Sequence, residues 1–70
     1  MSVARIVEIS AKSNTSFEDA VAQGVERASQ TLREIRSAWV KEQEVEVDNG
    51  KIVSYKVNLK VTFVLDDTMS

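Results

Sequence analysis

Four side chains in the second half of the chain have the types and spacing of a small-ligand site: Ser37, Trp39, Lys56 and Lys60. Trp39 is the only tryptophan. If the surrounding segments pair as a hairpin, Trp39 falls opposite Lys60 on a polar face. A tryptophan there usually packs at a subunit interface or lies under a lysine stem, and it can also stack on an aromatic ligand or hold a cation. Ligand stacking and interface packing are therefore both open.

Acidic side chains alternate along the predicted second strand at Glu42, Glu44, Glu46 and Asp48. Same-face residues two apart in a strand lie about 6.6 Å from each other, too far to chelate one ion alone. Together with symmetry copies, or with Asp66 and Asp67, they could bind Ca²⁺ or Mg²⁺, which prefer carboxylate oxygens. We favour a solvated strand face neutralised by Lys51 and Lys56, and keep Glu44 as the candidate metal ligand.

The composition argues against catalysis and against several classes of partner. The chain has no His and no Cys, so a nucleophile with its base would need other residue types, and no glycine-rich phosphate loop is present. We expect a protein that is not an enzyme. A net charge of −2 gives no general attraction to nucleic acid. No apolar run approaches the ~20 residues of a membrane span, and no signal peptide precedes Val3, so a cytoplasmic protein is expected.

The longest regular pattern begins at Val53 and ends at Leu65, where apolar and polar side chains alternate. Alternation of this kind predicts a strand with one buried face, including Val53, and one wet face. At about 3.3 Å per residue the strand would span ~43 Å. A compact domain of 70 residues is only about 22–25 Å across. The strand must therefore bend, or run on into a neighbouring subunit.

Two elements precede it. A strand is predicted from Val3 to Ile9 with both faces partly covered, followed by a polar loop of residues 10–16. Ser16 is a good helix N-cap for a helix that begins at Phe17 and ends at Ile35. Gly24 lies on the apolar stripe of this helix, which indicates either close contact with a sheet or a tolerated glycine.

The second strand is predicted from Arg36 to Val47, and Asp48-Asn49-Gly50 predicts a hairpin turn into the last strand. Its apolar residues change parity, which predicts a β-bulge between Lys41 and Glu44. The resulting register pairs Glu44 with Lys56, Val40 with Leu59, Trp39 with Lys60, and Ser37 with Thr62. The fold class is α+β: a three-stranded antiparallel sheet in the order β-α-β-β, packed on one helix, as a single domain of residues 1–70. A chain this small is marginal alone, so self-association is expected.

Several segments together resemble the dodecin family: Val7-Glu8-Ile9, the helix from Ala20 to Ala28 with Leu32-Arg33, the Gly50 turn, and the run from Tyr55 to Leu65. The last run is the most specific. The resemblance covers nearly the whole chain. It implies the β-α-β-β fold and a hollow homo-dodecamer that binds flavins. In that family the flavins stack in pairs between tryptophans across symmetry axes, and a glutamine reaches the edge of the flavin ring.

Both flavin-binding positions depart from the family pattern. The stacking tryptophan falls on Ser37 and the glutamine falls on Lys56, so the usual site is absent or rebuilt. The segment from Ile35 to Gln43 is closer to a dodecin-like subgroup associated with calcium. The resemblance thus implies a non-enzymatic storage or buffering protein. Its ligand is FMN or riboflavin held through the shifted Trp39, or Ca²⁺. The alternative is a purely structural assembly.

Overall fold

A computed structural model describes residues 3–65, which form four elements. They are β1 (Ala4–Ser13), α1 (Phe17–Ala28), β2 (Ile35–Asp48) and β3 (Lys51–Val64). The three strands form one antiparallel sheet in the order β1-β3-β2. The predicted β-α-β-β fold is confirmed. Among the described residues, no helix has the length and apolarity needed to cross a membrane.

β1 is longer than its composition suggested, because it extends through the segment predicted as a loop. Pairing with β3 continues as far as Ser13, opposite Tyr55. There the Ser13 hydroxyl accepts from the Thr15 backbone N–H at 2.9 Å and donates to Asp19 at 2.6 Å, which turns the chain toward the helix. Cross-strand pairing therefore overrides the polar composition. The prediction that both faces of β1 are partly covered is wrong at Ile6, whose side chain is exposed.

α1 begins where the sequence predicted. The Ser16 hydroxyl accepts a hydrogen bond from the Asp19 backbone N–H at 2.9 Å, which satisfies one of the free donors of the first turn. Glu18 and Asp19 place negative charge at the positive end of the helix. The N-cap prediction is confirmed.

The predicted end of the helix at Ile35 is wrong, since α1 ends at Ala28. The Ser29 hydroxyl donates to the Val25 carbonyl at 2.8 Å. The Leu32 backbone N–H returns to the Ala28 carbonyl at 2.8 Å. Glu34 then adopts a φ of 57°, a left-handed conformation that no helix continues through. Ile35 belongs to β2 instead.

The hairpin turn and most of its register follow the sequence prediction. Asn49 and Gly50 have φ values of 54° and 77°, as a tight turn between antiparallel strands requires. The four predicted cross-strand pairs are all present: Glu44–Lys56, Val40–Leu59, Trp39–Lys60 and Ser37–Thr62.

Three register shifts interrupt the pairing of β2 with β3. One lies between Val40 and Glu42, one step earlier than the bulge predicted after Lys41. A second lies between Ile35 and Ser37. The sequence did not predict the shift after Glu46, which sets Val47 opposite Ile52. Two of the three shifts were therefore not predicted. Each bulge bends its strand and increases the local twist.

The core lies between α1 and the middle of β3. Ala20, Val57, Leu59 and Val61 are fully buried. Gly24 brings the helix close to the sheet: a Cβ at this position would lie 3.1 Å from the Ala11 Cβ and 3.1 Å from the Leu59 Cδ1. Of the two readings of Gly24, close contact with the sheet is therefore the correct one.

The hairpin of β2 and β3 extends past this core. The pairing of β1 ends opposite Tyr55, and the Phe17 ring meets the Tyr55 ring edge-on with centroids 5.2 Å apart. Between Tyr55 and the hairpin turn, β3 pairs with β2 alone. The radius of gyration is 14.5 Å, against about 11 Å for a compact chain of this length. The long strand therefore runs past its own domain, and Val53, predicted to be buried, is 46% exposed.

Candidate ligand-binding face

The face of the sheet opposite α1 carries all the candidate site residues, and we call it the helix-free face. Val57, Leu59 and Val61 point to the helix, so the alternate residues of β3 point away from it. Their cross-strand partners follow the same rule. The face contains Glu8 and Lys12 of β1, Ser37, Trp39, Glu42, Glu44 and Glu46 of β2, and Ser54, Lys56, Asn58, Lys60 and Thr62 of β3.

Trp39 and Lys60 form the centre of this face. They are direct cross-strand partners, and the Lys60 Nζ lies 5.8 Å from the centre of the Trp39 ring. This is within the range of a cation–π contact. Trp39 is 47% exposed, so part of its ring area remains available to another molecule.

The four residues predicted for an aromatic ligand share the face but do not form one cluster. Ser37 pairs with Thr62 in the row next to Trp39 and Lys60. Lys56 lies four residues from Lys60 along β3, which corresponds to about 13 Å. Within one chain, Ser37, Trp39 and Lys60 therefore lie close together in neighbouring cross-strand pairs. Lys56 lies apart from them, next to the acidic side chains.

The three glutamates of the acidic row, Glu42, Glu44 and Glu46, each have a side-chain partner on β3. Asn58 Nδ2 donates to Glu42 at 2.9 Å. Lys56 Nζ lies 3.9 Å from Glu44, the longest of the ion pairs in the described chain. The predicted neutralisation by Lys56 is present.

Glu46 has the densest set of partners. The Ser54 hydroxyl donates to Glu46 at 2.6 Å, and Lys12 Nζ lies 3.3 Å from the same carboxylate. The Ser54 hydrogen bond, and then the bond and charge of Lys12, hold the pKa of Glu46 below its ordinary value. The sequence predicted neutralisation of the acidic row by Lys51 and Lys56, whereas the cation at Glu46 is Lys12 of β1.

Two ion pairs cross the central strand. Lys12 of β1 meets Glu46 of β2 at 3.3 Å, and Lys41 of β2 meets Glu8 of β1 at 3.4 Å. Sequence reasoning missed both, because it derived a register only for β2 with β3. Alternation along β1 puts Glu8 and Lys12 on one face, but their positions opposite Lys60 and Lys56 depend on a register that no turn fixes.

No metal centre is formed within the described chain. Residues 3–65 contain no group of three or more His, Cys, Asp or Glu side chains placed to hold one ion. Asp66 and Asp67, named as possible further ligands, lie outside the described residues. Residues 3–65 thus supply no further ligands beside Glu44, and an ion there would need ligands from outside this stretch or from a second chain.

Fold and face together define a small α+β protein that presents a broad polar sheet face with one half-exposed tryptophan. A family model described as Dodecin matches residues 3–66. The chain belongs to the Dodecin family, as its resemblance predicted.

Known relatives agree in sequence and in fold. The "Calcium dodecin" of Mycobacterium tuberculosis is 40% identical over 63 residues, which cover 90% of this chain and 89% of that protein. Dodecin from Streptomyces davaonensis superposes with a TM-score of 0.89 at 32% identity, over 94% of this chain and 97% of that one. The crystal structure of the M. tuberculosis protein, described as a calcium-chelating immunodominant antigen with a novel calcium-binding site, gives 0.79 at 39% identity over 94% of both chains.

Proposed function

We propose that this chain is a non-enzymatic small-ligand-binding and storage protein that works as a hollow homo-dodecamer. Its ligands are held between subunits on the helix-free face. One observation carries the proposal: the half-exposed Trp39 lies beside Lys60 on a sheet face that no described element covers. A chain with few fully buried residues is marginal alone, and an exposed tryptophan is typical of a contact surface; together they support cover of this face by further copies.

The ligand we favour is a flat aromatic molecule of the flavin type, FMN or riboflavin. The family's stacking and ring-edge positions fall on Ser37 and Lys56, so the usual flavin site is altered. Trp39 offers a ring from a position two residues further on. Lys60 adds a positive charge next to that ring, which favours a ligand with anionic groups.

Flavin titration tests this proposal. Flavin fluorescence should be quenched at micromolar concentrations when the purified protein is added, because stacking on an indole ring quenches it. Trp39→Ala should abolish the quenching, and Trp39→Phe, which keeps a ring, should retain part of it. Absence of quenching with the unaltered protein would rule out the aromatic ligand.

Calcium is the second candidate, on the strength of Glu44. Its side chain is 68% exposed and its carboxylate lies 3.9 Å from Lys56 Nζ, a weaker pairing than that of Glu46. The relative named calcium dodecin, 40% identical, adds support. In this version, Glu44 carboxylates from adjoining subunits supply oxygen ligands to one ion.

Calorimetry with CaCl₂ tests the second candidate. Glu44→Gln should remove the binding heat, whereas Glu18→Gln, in the first turn of α1, should leave it unchanged. If the two variants behave alike, Glu44 is not a ligand. If neither flavin nor Ca²⁺ binds, the remaining function is a purely structural assembly in which Trp39 is interface packing.

A further inference from the structure

The hairpin turn between β2 and β3 places an asparagine directly before a glycine. Asn49 and Gly50 are both exposed, and both have a left-handed backbone, with φ values of 54° and 77°. The cross-strand ladder closes at the pair Asp48–Lys51, so the Gly50 nitrogen lies outside it. Because glycine has no Cβ, that nitrogen can approach the Asn49 side chain closely.

The space around the turn is open. Apart from the two chain neighbours of Gly50, no atom of the described chain lies within 4 Å of the place where its Cβ would be. Between Tyr55 and the turn the sheet has only two strands, and a two-stranded ribbon is marginally stable in water. The pair Asp48–Lys51 can therefore open locally while the core stays folded. Such opening gives the Asn49 backbone the rotation that attack by the Gly50 nitrogen requires.

The chain contains two further asparagines, and local structure protects both. Asn14 is followed by Thr15, which is branched at Cβ and whose backbone N–H donates to the Ser13 hydroxyl at 2.9 Å. Asn58 lies within β3, where its Nδ2 donates to Glu42 at 2.9 Å. The third asparagine, in the turn, is the only one followed by glycine. The structure thus separates one reactive position from two protected ones.

We propose that Asn49 is a spontaneous modification site, at which the side-chain amide is lost to water. The Gly50 backbone nitrogen attacks Cγ of Asn49. The Cγ–Nδ2 bond breaks, and Nδ2 leaves as ammonia with the proton of the Gly50 amide, which closes a succinimide ring. Water then opens the ring. Attack at Cγ gives aspartate, and attack at the backbone carbonyl carbon gives isoaspartate.

The two products change the hairpin in different ways. Aspartate adds a negative charge next to Asp48 and keeps the turn, because Asp-Gly forms the same type of turn as Asn-Gly. Isoaspartate carries the chain through its side-chain carbon, so the turn gains one backbone atom. Because turn type and length fix the register of a hairpin, the added atom separates Asp48 from Lys51 and shifts Val47 against Ile52, its present partner. The site is therefore an irreversible record of protein age, whichever ligand the protein binds.

Mass spectrometry of the aged protein tests the chemistry. The unaltered protein, in its assembled form, is incubated in water enriched in heavy oxygen and then digested. The peptide with Asn49 should exchange its amide for an acid with one heavy oxygen, on the order of tenfold or more faster than the peptides with Asn14 and Asn58. Asn49→Gly, which keeps a two-residue turn of the same type, should leave its peptide unchanged in mass. Equal rates for the three asparagines, or no reaction at Asn49, would overturn the proposal.

Hydrogen–deuterium exchange tests the effect on the hairpin. In aged unaltered protein, the peptide of residues 46–54 should lose protection in proportion to its isoaspartate content. Fresh Asn49→Asp carries the charge without the added backbone atom and should keep the protection, as should aged Asn49→Gly. If isoaspartate forms and the protection of this peptide is unchanged, the inferred change of register is wrong.

Discussion

The Lys60 ammonium lies 5.8 Å from the centre of the Trp39 ring, and the two residues are cross-strand partners on β3 and β2. The cation therefore sits beside the surface on which a flat ligand would stack. A ligand with a phosphate gains from that charge, whereas a neutral ligand does not.

This relationship predicts a preference for FMN over riboflavin. Lys60→Gln should reduce the preference by about threefold at low salt, because an exposed charge contact is worth roughly 0.2–1 kcal/mol. Dissociation constants from flavin fluorescence quenching measure it. Lys51→Gln, at the hairpin turn, is the matched control and should change nothing. Equal affinities for both flavins in the unaltered protein would contradict the prediction.

The Ser54–Glu46 hydrogen bond predicts a specific change in acid titration. Loss of the 2.6 Å bond in Ser54→Ala should raise the pKa of Glu46 toward its ordinary value, which NMR titration of the side chain measures. A depressed pKa means that the folded state prefers the carboxylate. Its stabilising contribution is present above the ordinary glutamate pKa of about 4.3 and is lost as the pH falls through the depressed value.

Ser10→Ala provides the control for that titration, because Ser10 lies on β1 opposite Asn58 and makes no bond to Glu46. An unchanged pKa of Glu46 in Ser54→Ala would show that Lys12 and Lys56, rather than the Ser54 hydroxyl, depress it.

The close approach at Gly24 predicts that Gly24→Ala lowers the free energy of unfolding. Alanine is the better helix former by about 1 kcal/mol, but its Cβ would lie 3.1 Å from Ala11 and Leu59. The Ala11 Cβ is fixed to the backbone and Leu59 is fully buried, so neither gives way easily. Overpacking costs about 1–3 kcal/mol, so the net loss is about 1 kcal/mol. Thermal unfolding measures it.

Ala22→Gly, on the exposed side of α1, is the matched control. It should also lose about 1 kcal/mol, from helix propensity alone. A gain in stability in Gly24→Ala would mean that the helix does not press on the sheet there.

The left-handed backbone of Glu34, with a φ of 57°, predicts that Glu34→Gly stabilises the protein by about 0.5–1 kcal/mol, because glycine adopts positive φ without strain. If the helix continued to Ile35 instead, the same substitution would destabilise by about 1 kcal/mol. Denaturant unfolding gives the sign. Glu34→Ala, which removes the side chain and keeps the Cβ, should show no gain.

Residue alternation and turn chemistry were enough to predict the order of elements, the N-cap at Ser16 and the pairing of Trp39 with Lys60. The end of α1 was missed because Leu32 and Ile35 continue the apolar spacing and still pack on the core. Spacing alone does not distinguish a helix from a turn that returns the same side chains to the same surface. The change of direction between α1 and β2 occurs at Glu34, which has a positive φ. Glutamate has no preference for positive φ, so nothing in the sequence indicated it.

The acidic row was predicted to be neutralised by Lys51 and Lys56, and of these only Lys56 forms an ion pair with it. Lys56 followed from the hairpin register. Lys12 did not, because β1 is distant in sequence and its register with β3 is set by tertiary packing rather than by a turn. The exposure of Val47 and Val53 was missed for a related reason: the shift after Glu46 moves both residues away from the positions that simple alternation assigns.

The outer edge of β2 is unpaired in the described chain, and its second half alternates Glu42, Glu44 and Glu46. If two newly made chains met along this edge in parallel register, glutamates would lie opposite glutamates, which is unfavourable. Charges and bulges are also the devices by which edge strands resist aggregation. The same carboxylates that pair across the sheet therefore also oppose edge-to-edge pairing of two chains.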